Sequence, residues 1–347
     1  MNLGRLAEMP RVRLGGGVTP LERLGHLSRV NSGAALWAKR DDLQGLAFGG
    51  NKVRQLEYYF GAAEAEGADT VLITGAVQSN FCRLTAAFAA KLGMECHIQH
   101  EERVATNDPM YRESGNVLVE KMMGAVLHSF PAGEDEAGAD ANLETIADGL
   151  RSEGRKPYVI HLAPGHPPLG ALGYIDCAAE LLEQLDEMDL RIDHIAVASG
   201  SGATHGGFLF GMRALGSQIP ITGYCVRRAA ELQKPRIEGR CAEIAELLRM
   251  DNPVRPEDVV VNDRFLGPGY GKINFPTERA IRLGARCEAM MLDPVYSGKS
   301  MAGALNIAGN RPEGENVLFI HTGGTPGIFA YGDALAGVTE TLGMNAA

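Results

Sequence analysis

The chain has 347 residues, 45% of them hydrophobic and 22% charged, with a net charge of -10. That balance supplies a full core for about two domains and excludes a disordered chain. The acidic surplus argues against a nucleic-acid binder, which needs clustered Lys and Arg, and no apolar run reaches the roughly 18 residues of a membrane span.

In chain order, the apolar spacing of Val53, Leu56, Tyr59 and Phe60 predicts a helix opened by Asn51 as its cap and carrying Lys52 in its first turn. There follow a strand Thr70–Gly75, a helix Arg83–Leu92, a strand Glu95–Gln99, a helix Tyr111–Met123 and a strand Ala125–Phe130. The acidic stretch 133–141 reads as a solvated loop before a helix Leu143–Glu153. Next come a strand Tyr158–Leu162, a helix Tyr174–Leu185, a strand His194–Ala198 and a helix Ala203–Leu215. The chain continues with a strand Ile219–Val226, helices Ala229–Met250 and Thr277–Leu283, a strand Met290–Leu292, a helix Ser300–Ala308 and a strand Val317–His321.

Strands alternating with helices over short connections indicate an α/β fold of two open, twisted, mostly parallel sheets flanked by helices, with a cleft between a large and a small domain. The Pro/Gly cluster from Ala163 to Gly170 is the strongest punctuation. It divides the chain into a small domain, 54–164, and a large one, 1–53 plus 165–347. The N-terminal stretch lacks the apolar centre of a secretory signal. The six cysteines are scattered without a CxxC pair. Free thiols in a reducing cytoplasm are the expectation.

Four polar turns at strand ends, together with a Gly-rich turn that opens the first helix, can line one cleft. Gly49-Gly50-Asn51-Lys52 lets the backbone approach closely and sets Lys52 at a positive helix end, where burial and the dipole both disfavour its charge. A lysine so tuned forms Schiff bases, although a surface lysine on a capped helix would have the same spacing. The loop Ser199-Gly200-Ser201-Gly202-Ala203-Thr204 after the strand His194–Ala198 suits an anion held by backbone N–H groups and hydroxyls. It lacks the Gly-Lys-Ser/Thr of a P-loop, and its glycines read GxGxxxG, one residue too long for a dinucleotide fingerprint. The next strand ends in Arg227-Arg228, which leaves NADP formally open. Gln78-Ser79-Asn80 and His321-Thr322-Gly323-Gly324 supply two further turns, and Tyr296-Ser297 another polar stretch. Cys96, His97 and His100 crowd together, but neighbouring strand residues face opposite ways, so no metal is expected there. No G-x-S-x-G elbow appears.

Taken together, Lys39-Arg-Asp-Asp42, Gly49-Gly-Asn-Lys52, Gly75-Ala-Val-Gln-Ser-Asn80, Gly267-Pro-Gly-Tyr-Gly271, Leu292-Asp-Pro-Val-Tyr296 and His321–Pro326 resemble the pyridoxal-phosphate enzymes of the tryptophan-synthase-β fold type. Within them the chain is similar to the branch of D-cysteine desulfhydrase, L-cysteate sulfo-lyase and 1-aminocyclopropane-1-carboxylate deaminase. The resemblance implies pyridoxal 5'-phosphate on Lys52, which also moves the Cα proton. Asn80 would meet the cofactor's 3′-oxygen, the loop Ser201–Thr204 its phosphate, and Thr322 its pyridine nitrogen, with Ser199, Gly200 and Ser297 among the cofactor contacts. Ser79 would hold the substrate carboxylate, and Tyr270 and Tyr296 would cover the substrate. A homodimer acting on a small amino acid is implied as well.

Two positions divide the branch. Deaminases that open a cyclopropane ring carry Glu and Leu where this chain has Ser297 and Thr322, so the desulfhydrase-like pattern is favoured. Phe81 replaces the His usual after Q-S-N, and Lys272 stands near the site mouth, which points to a different substrate, one with an anionic or bulkier side group. The leading expectation is α,β-elimination from a β-substituted alanine (D-cysteine-like or L-cysteate-like) to pyruvate and ammonia. Ring-opening deamination, a dehydratase or racemase, and a catalytically silent cofactor-binding protein are the alternatives.

Overall fold

The computed structural model describes residues 3–336. The elements in chain order are β1 (Leu21–Arg23), α1 (Gly25–Asn31), β2 (Ala35–Lys39), α2 (Lys52–Ala65), β3 (Thr70–Ala76), α3 (Asn80–Leu92), β4 (Glu95–Glu101), α4 (Pro109–Glu113), α5 (Gly115–Met122), β5 (Val126–Phe130), α6 (Glu136–Ser152) and β6 (Pro157–Ile160). They continue as α7 (Leu169–Glu187), β7 (His194–Ser199), α8 (Ala203–Ala214), β8 (Ile221–Cys225), α9 (Ala230–Leu248), β9 (Val260–Asn262), α10 (Phe275–Glu288), α11 (Ser297–Gly309), β10 (Asn316–Ile320) and α12 (Gly332–Ala336).

Two sheets result. One has six strands in the order β1-β2-β10-β7-β8-β9, parallel except for β1. The other has four, β5-β4-β3-β6, all parallel. Every residue of the central strand β3 is buried, as a parallel strand covered on both faces must be. Helices cover the faces, with Tyr174, Phe208 and Phe210 in the core of the larger sheet and Phe60, Leu84 and Phe88 in that of the smaller. Helix α2 serves both: Val53, Leu56 and Phe60 pack with the four-stranded sheet, while Tyr58 packs with the six-stranded one. In addition, Gly173 of α7 lets α2 approach so closely that a Cβ there would stand 2.2 Å from the Arg54 carbonyl oxygen.

Several expectations need correction. Residues 290–292 form no strand; the chain leaves α10 there and turns into α11. The helix expected over 111–123 breaks at Ser114, which is extended, and Gly115, whose φ is +59°. The acidic stretch forms the first turns of α6 instead of a loop, because the Asp135 carboxylate caps the Gly138 N–H at 2.8 Å. Asn51 does not cap α2 with its side chain. Its amide goes to Thr204 Oγ1 at 2.8 Å instead. Three short strands, β1, β2 and β9, complete the larger sheet without having been expected.

Candidate active site

The turns at the strand ends converge on a cleft of about 1050 Å³, mouth included, between the two sheets. Lys52, Ser79, Asn80, Gly200, Ser201, Gly202, Thr204, Tyr270, Tyr296 and Thr322 all line it. Ser199, Ala203 and Ser297 do not appear on its wall. Ser199 lies beneath, its hydroxyl accepting from Gln233 Nε2 at 2.9 Å and 3.1 Å from His205 Nδ1. Ala203 packs its methyl on the core. Ser297 is fully buried and exchanges hydrogen bonds with Asp293, donating to Oδ1 at 2.6 Å and accepting from the backbone N–H at 2.8 Å. The Asp293 carboxylate gathers the N–H groups of Val295, Tyr296 and Ser297, so Ser297 fixes the turn that aims Tyr296 instead of facing a ligand.

Lys52 is held in place by backbone. The Asn51 N–H donates to the Thr322 carbonyl at 3.0 Å. Gly50 and Gly323 pack so tightly that a Cβ on Gly323, where φ is +89°, would stand 2.6 Å from the Gly50 Cα. Only glycine fits this crossing. The Lys52 ammonium has one polar contact, Gln55 Oε1 at 3.3 Å, and lies 4.8 Å from the centre of the Phe81 ring. Burial lowers its pKa to about 8.

Opposite, Ser79 caps α3, its hydroxyl oxygen accepting from the Phe81 and Cys82 N–H groups at 3.2 and 3.3 Å. Its own proton and the N-terminus of a 13-residue helix remain to meet an anion. The Tyr270 and Tyr296 hydroxyls are 2.5 Å apart. Burial raises both phenols, and each also feels the other, so both are neutral and able to donate. The Arg103 guanidinium lies 5.9 Å from the Tyr270 ring centre and forks onto Glu101 Oε2 at 2.6 and 2.9 Å.

The residues present fit pyridoxal phosphate. Asn80 Oδ1 is a buried polar atom with no partner in the protein, and such an orphan calls for a ligand group. Thr204 Oγ1 accepts from the Asn51 and Gln55 amides at 2.8 and 2.7 Å, which leaves its proton for an anion. Gly202, with φ at +103°, opens α8 and exposes that helix's first N–H groups on the same side.

Sequence reasoning missed a charged rim. Glu136, at the start of α6, is gripped by Arg227 at 2.5 Å, Arg236 at 3.1 Å and Arg228. Arg236 also donates to the Ser201 carbonyl at 2.9 Å, linking this grip to the loop before α8. Burial pushes the Glu136 carboxyl up, but the three guanidiniums outweigh it and hold it low. The Arg227-Arg228 pair was visible as a basic strand end. Its carboxylate partner, about ninety positions away, was not.

The chain is similar along nearly its whole length to known proteins. A family model described as pyridoxal-phosphate dependent enzyme matches residues 12–323. A 1-aminocyclopropane-1-carboxylate deaminase of Burkholderia vietnamiensis (strain G4 / LMG 22486) is 40% identical over 337 residues, 96% of this chain and 98% of that one. A D-cysteine desulfhydrase of Salmonella schwarzengrund (strain CVM19633) is 38% identical over 333 residues, 95% and 99% of the two chains. The crystal structure of an ACC deaminase homologue superimposes with a TM-score of 0.84 at 37% identity, covering 95% of this chain and 97% of that one. The O-ureido-L-serine synthase structure, at a TM-score of 0.65 and 18% identity over 98% and 97% of the two chains, shares the fold.

Proposed function

The chain belongs to the family of pyridoxal-phosphate-dependent enzymes, and from that premise we propose that it is a carbon–sulfur lyase acting by α,β-elimination on a β-substituted alanine. The observation that carries this reading is the placing of a lysine of lowered pKa across one cleft from a pair of neutral, mutually bonded tyrosines. Bound in the cleft, pyridoxal phosphate supplies an electron sink for the Cα carbanion. Lys52 would hold the cofactor, and its free amine would take the Cα proton. The Ser79 hydroxyl and the N-terminus of α3 receive the substrate carboxylate. The Tyr270–Tyr296 pair delivers a proton to the departing β-substituent, and Arg103 beside it suits a leaving group that carries negative charge, such as sulfide or sulfite. Loss of that group and hydrolysis of the three-carbon residue yield pyruvate and ammonia.

We assign the cofactor's phosphate to the loop Gly200–Thr204 and its ring to the space between Asn80 and Thr322. Residues 54–164 are taken as the small domain, and 1–53 with 165–347 as the large one. A cytoplasmic homodimer is the accompanying expectation. The cysteines of the described residues, all free, favour a reducing compartment, and no helix among those residues is long and apolar enough to cross a membrane.

Ring-opening deamination is the second reading, favoured by the Burkholderia relative at 40% identity. Incubating the purified enzyme separately with D-cysteine, L-cysteate and 1-aminocyclopropane-1-carboxylate separates the two. Pyruvate with equimolar sulfide or sulfite is the expected outcome. A four-carbon oxo acid from the cyclopropane, with no pyruvate from either sulfur compound, replaces the lyase with the deaminase.

A further inference from the structure

Asp140 on α6, His161 just past β6 and His166 in the Pro/Gly segment leading to α7 bring three ligand atoms within 4.8 Å of one another. His161 Nδ1 stands 3.5 Å, and His166 Nε2 3.7 Å, from the same oxygen, Asp140 Oδ2. The edge of a tetrahedron around a zinc ion with bonds of 2.0–2.1 Å is about 3.3 Å. The ligand atoms therefore need to move by only a few tenths of an ångström along these two edges.

The outer partner of such a site is also in place. His161 Nε2 meets Glu144 Oε1 at 3.0 Å, whereas His161 Nδ1 is buried and makes no hydrogen bond. A carboxylate that accepts one ring N–H leaves the lone pair on the other nitrogen, the arrangement by which proteins orient metal-binding imidazoles. We propose that Asp140, His161 and His166 bind one divalent transition cation, with water as the fourth ligand and Glu144 as the positioning residue. Two imidazoles with one carboxylate select a zinc-like ion over magnesium or calcium.

Loading requires one rearrangement. The two imidazoles are stacked, with centroids 3.8 Å apart and planes 8° from parallel, so their lone pairs do not meet at one point. The His166 side chain is 41% exposed and can turn. The site lies at the edge of the cleft, since Asp140, Leu162 and Ala163 also line it. A bound ion ties the crossing between β6 and α7 to α6. This site is independent of the reaction proposed above.

The test uses the cofactor-loaded enzyme, stripped with a chelator and titrated with Zn2+ against a chromophoric competitor. One equivalent per chain is expected in the wild type, lost in D140N, H161Q and H166A and weakened about 10–100-fold in E144Q. Repeating the titration with K52A, which should bind zinc normally, separates this outcome from any failure of the lyase reading. Absence of a saturable equivalent in the wild type, or wild-type affinity in any of the three ligand variants, overturns the proposal.

Discussion

The Lys52 ammonium lies 4.8 Å from the centre of the Phe81 ring, with Gln55 Oε1 at 3.3 Å as its polar contact. An aromatic face thus stands beside the amine. The ring offers a cation modest attraction, about 0.5–1 kcal/mol, and no site for a proton. Burial prevails over that attraction, which is why the amine titrates near 8.

Cofactor capture by the apoprotein should therefore rise with pH through an apparent pKa of about 8, followed as growth of the visible absorbance. A profile still climbing through pH 10 would show an ordinary, solvated lysine. Phe81→Leu removes the attraction for the charged form and should lower that pKa by about half a unit; an increase would contradict the contact. The sign for stability follows from the same shift. Between about 8 and the ordinary lysine value of 10.5 the unfolded lysine keeps a proton that the folded one has given up, so the apoprotein gains stability as pH rises through that window.

Tyr296→Phe deletes the hydroxyl bonded to Tyr270 while keeping the ring. If the pair supplies a proton in the reaction, kcat should fall about 10²-fold or more, with KM changed only a few-fold and the protein still yellow. Steady-state kinetics beside an absorption spectrum check this. An unchanged kcat would reduce the pair to a wall of the cleft.

Gly323→Ala puts a methyl 2.6 Å from the Gly50 Cα at a φ of +89°. The strain should cost about 2 kcal/mol or more and displace the Thr322 carbonyl that holds the Asn51 N–H. Chemical denaturation should show the loss, together with weaker retention of the cofactor. Stability within about 0.5 kcal/mol of the wild type would mean the crossing is slack.

Local signals carried much of this architecture in the sequence. The apolar run of β3 and the amphipathic helix α7 are both legible from periodicity, and the glycines around Lys52 announced a close approach that the Gly50–Gly323 contact realises. Elements whose stability comes from neighbours were not legible. β1 and β9 are three-residue strands, and β2 ends in Lys39, a buried lysine whose charge is matched by Glu180 from α7. Nothing in five residues of sequence foretells that partner. Conversely, residues 290–292 have strand-like composition but join neither sheet. In the site, turns were visible because Gly, Ser and Asn mark them. The Arg103–Glu101 fork and the three arginines on Glu136 depend on segments that only folding brings together.

Helix α2 has a mechanical consequence through its two loyalties. Its first residues are stitched to the Thr322 carbonyl and, through the Asn51 side chain, to Thr204, while Leu56 and Phe60 pack with the smaller sheet. Because Phe81 packs in the same apolar cluster as Leu56 and Phe60, this one helix ties the wall of Ser79, Asn80 and Phe81 to the frame of Lys52, Thr204 and Thr322, and a substitution that shifts α2 disturbs both sides of the cleft together.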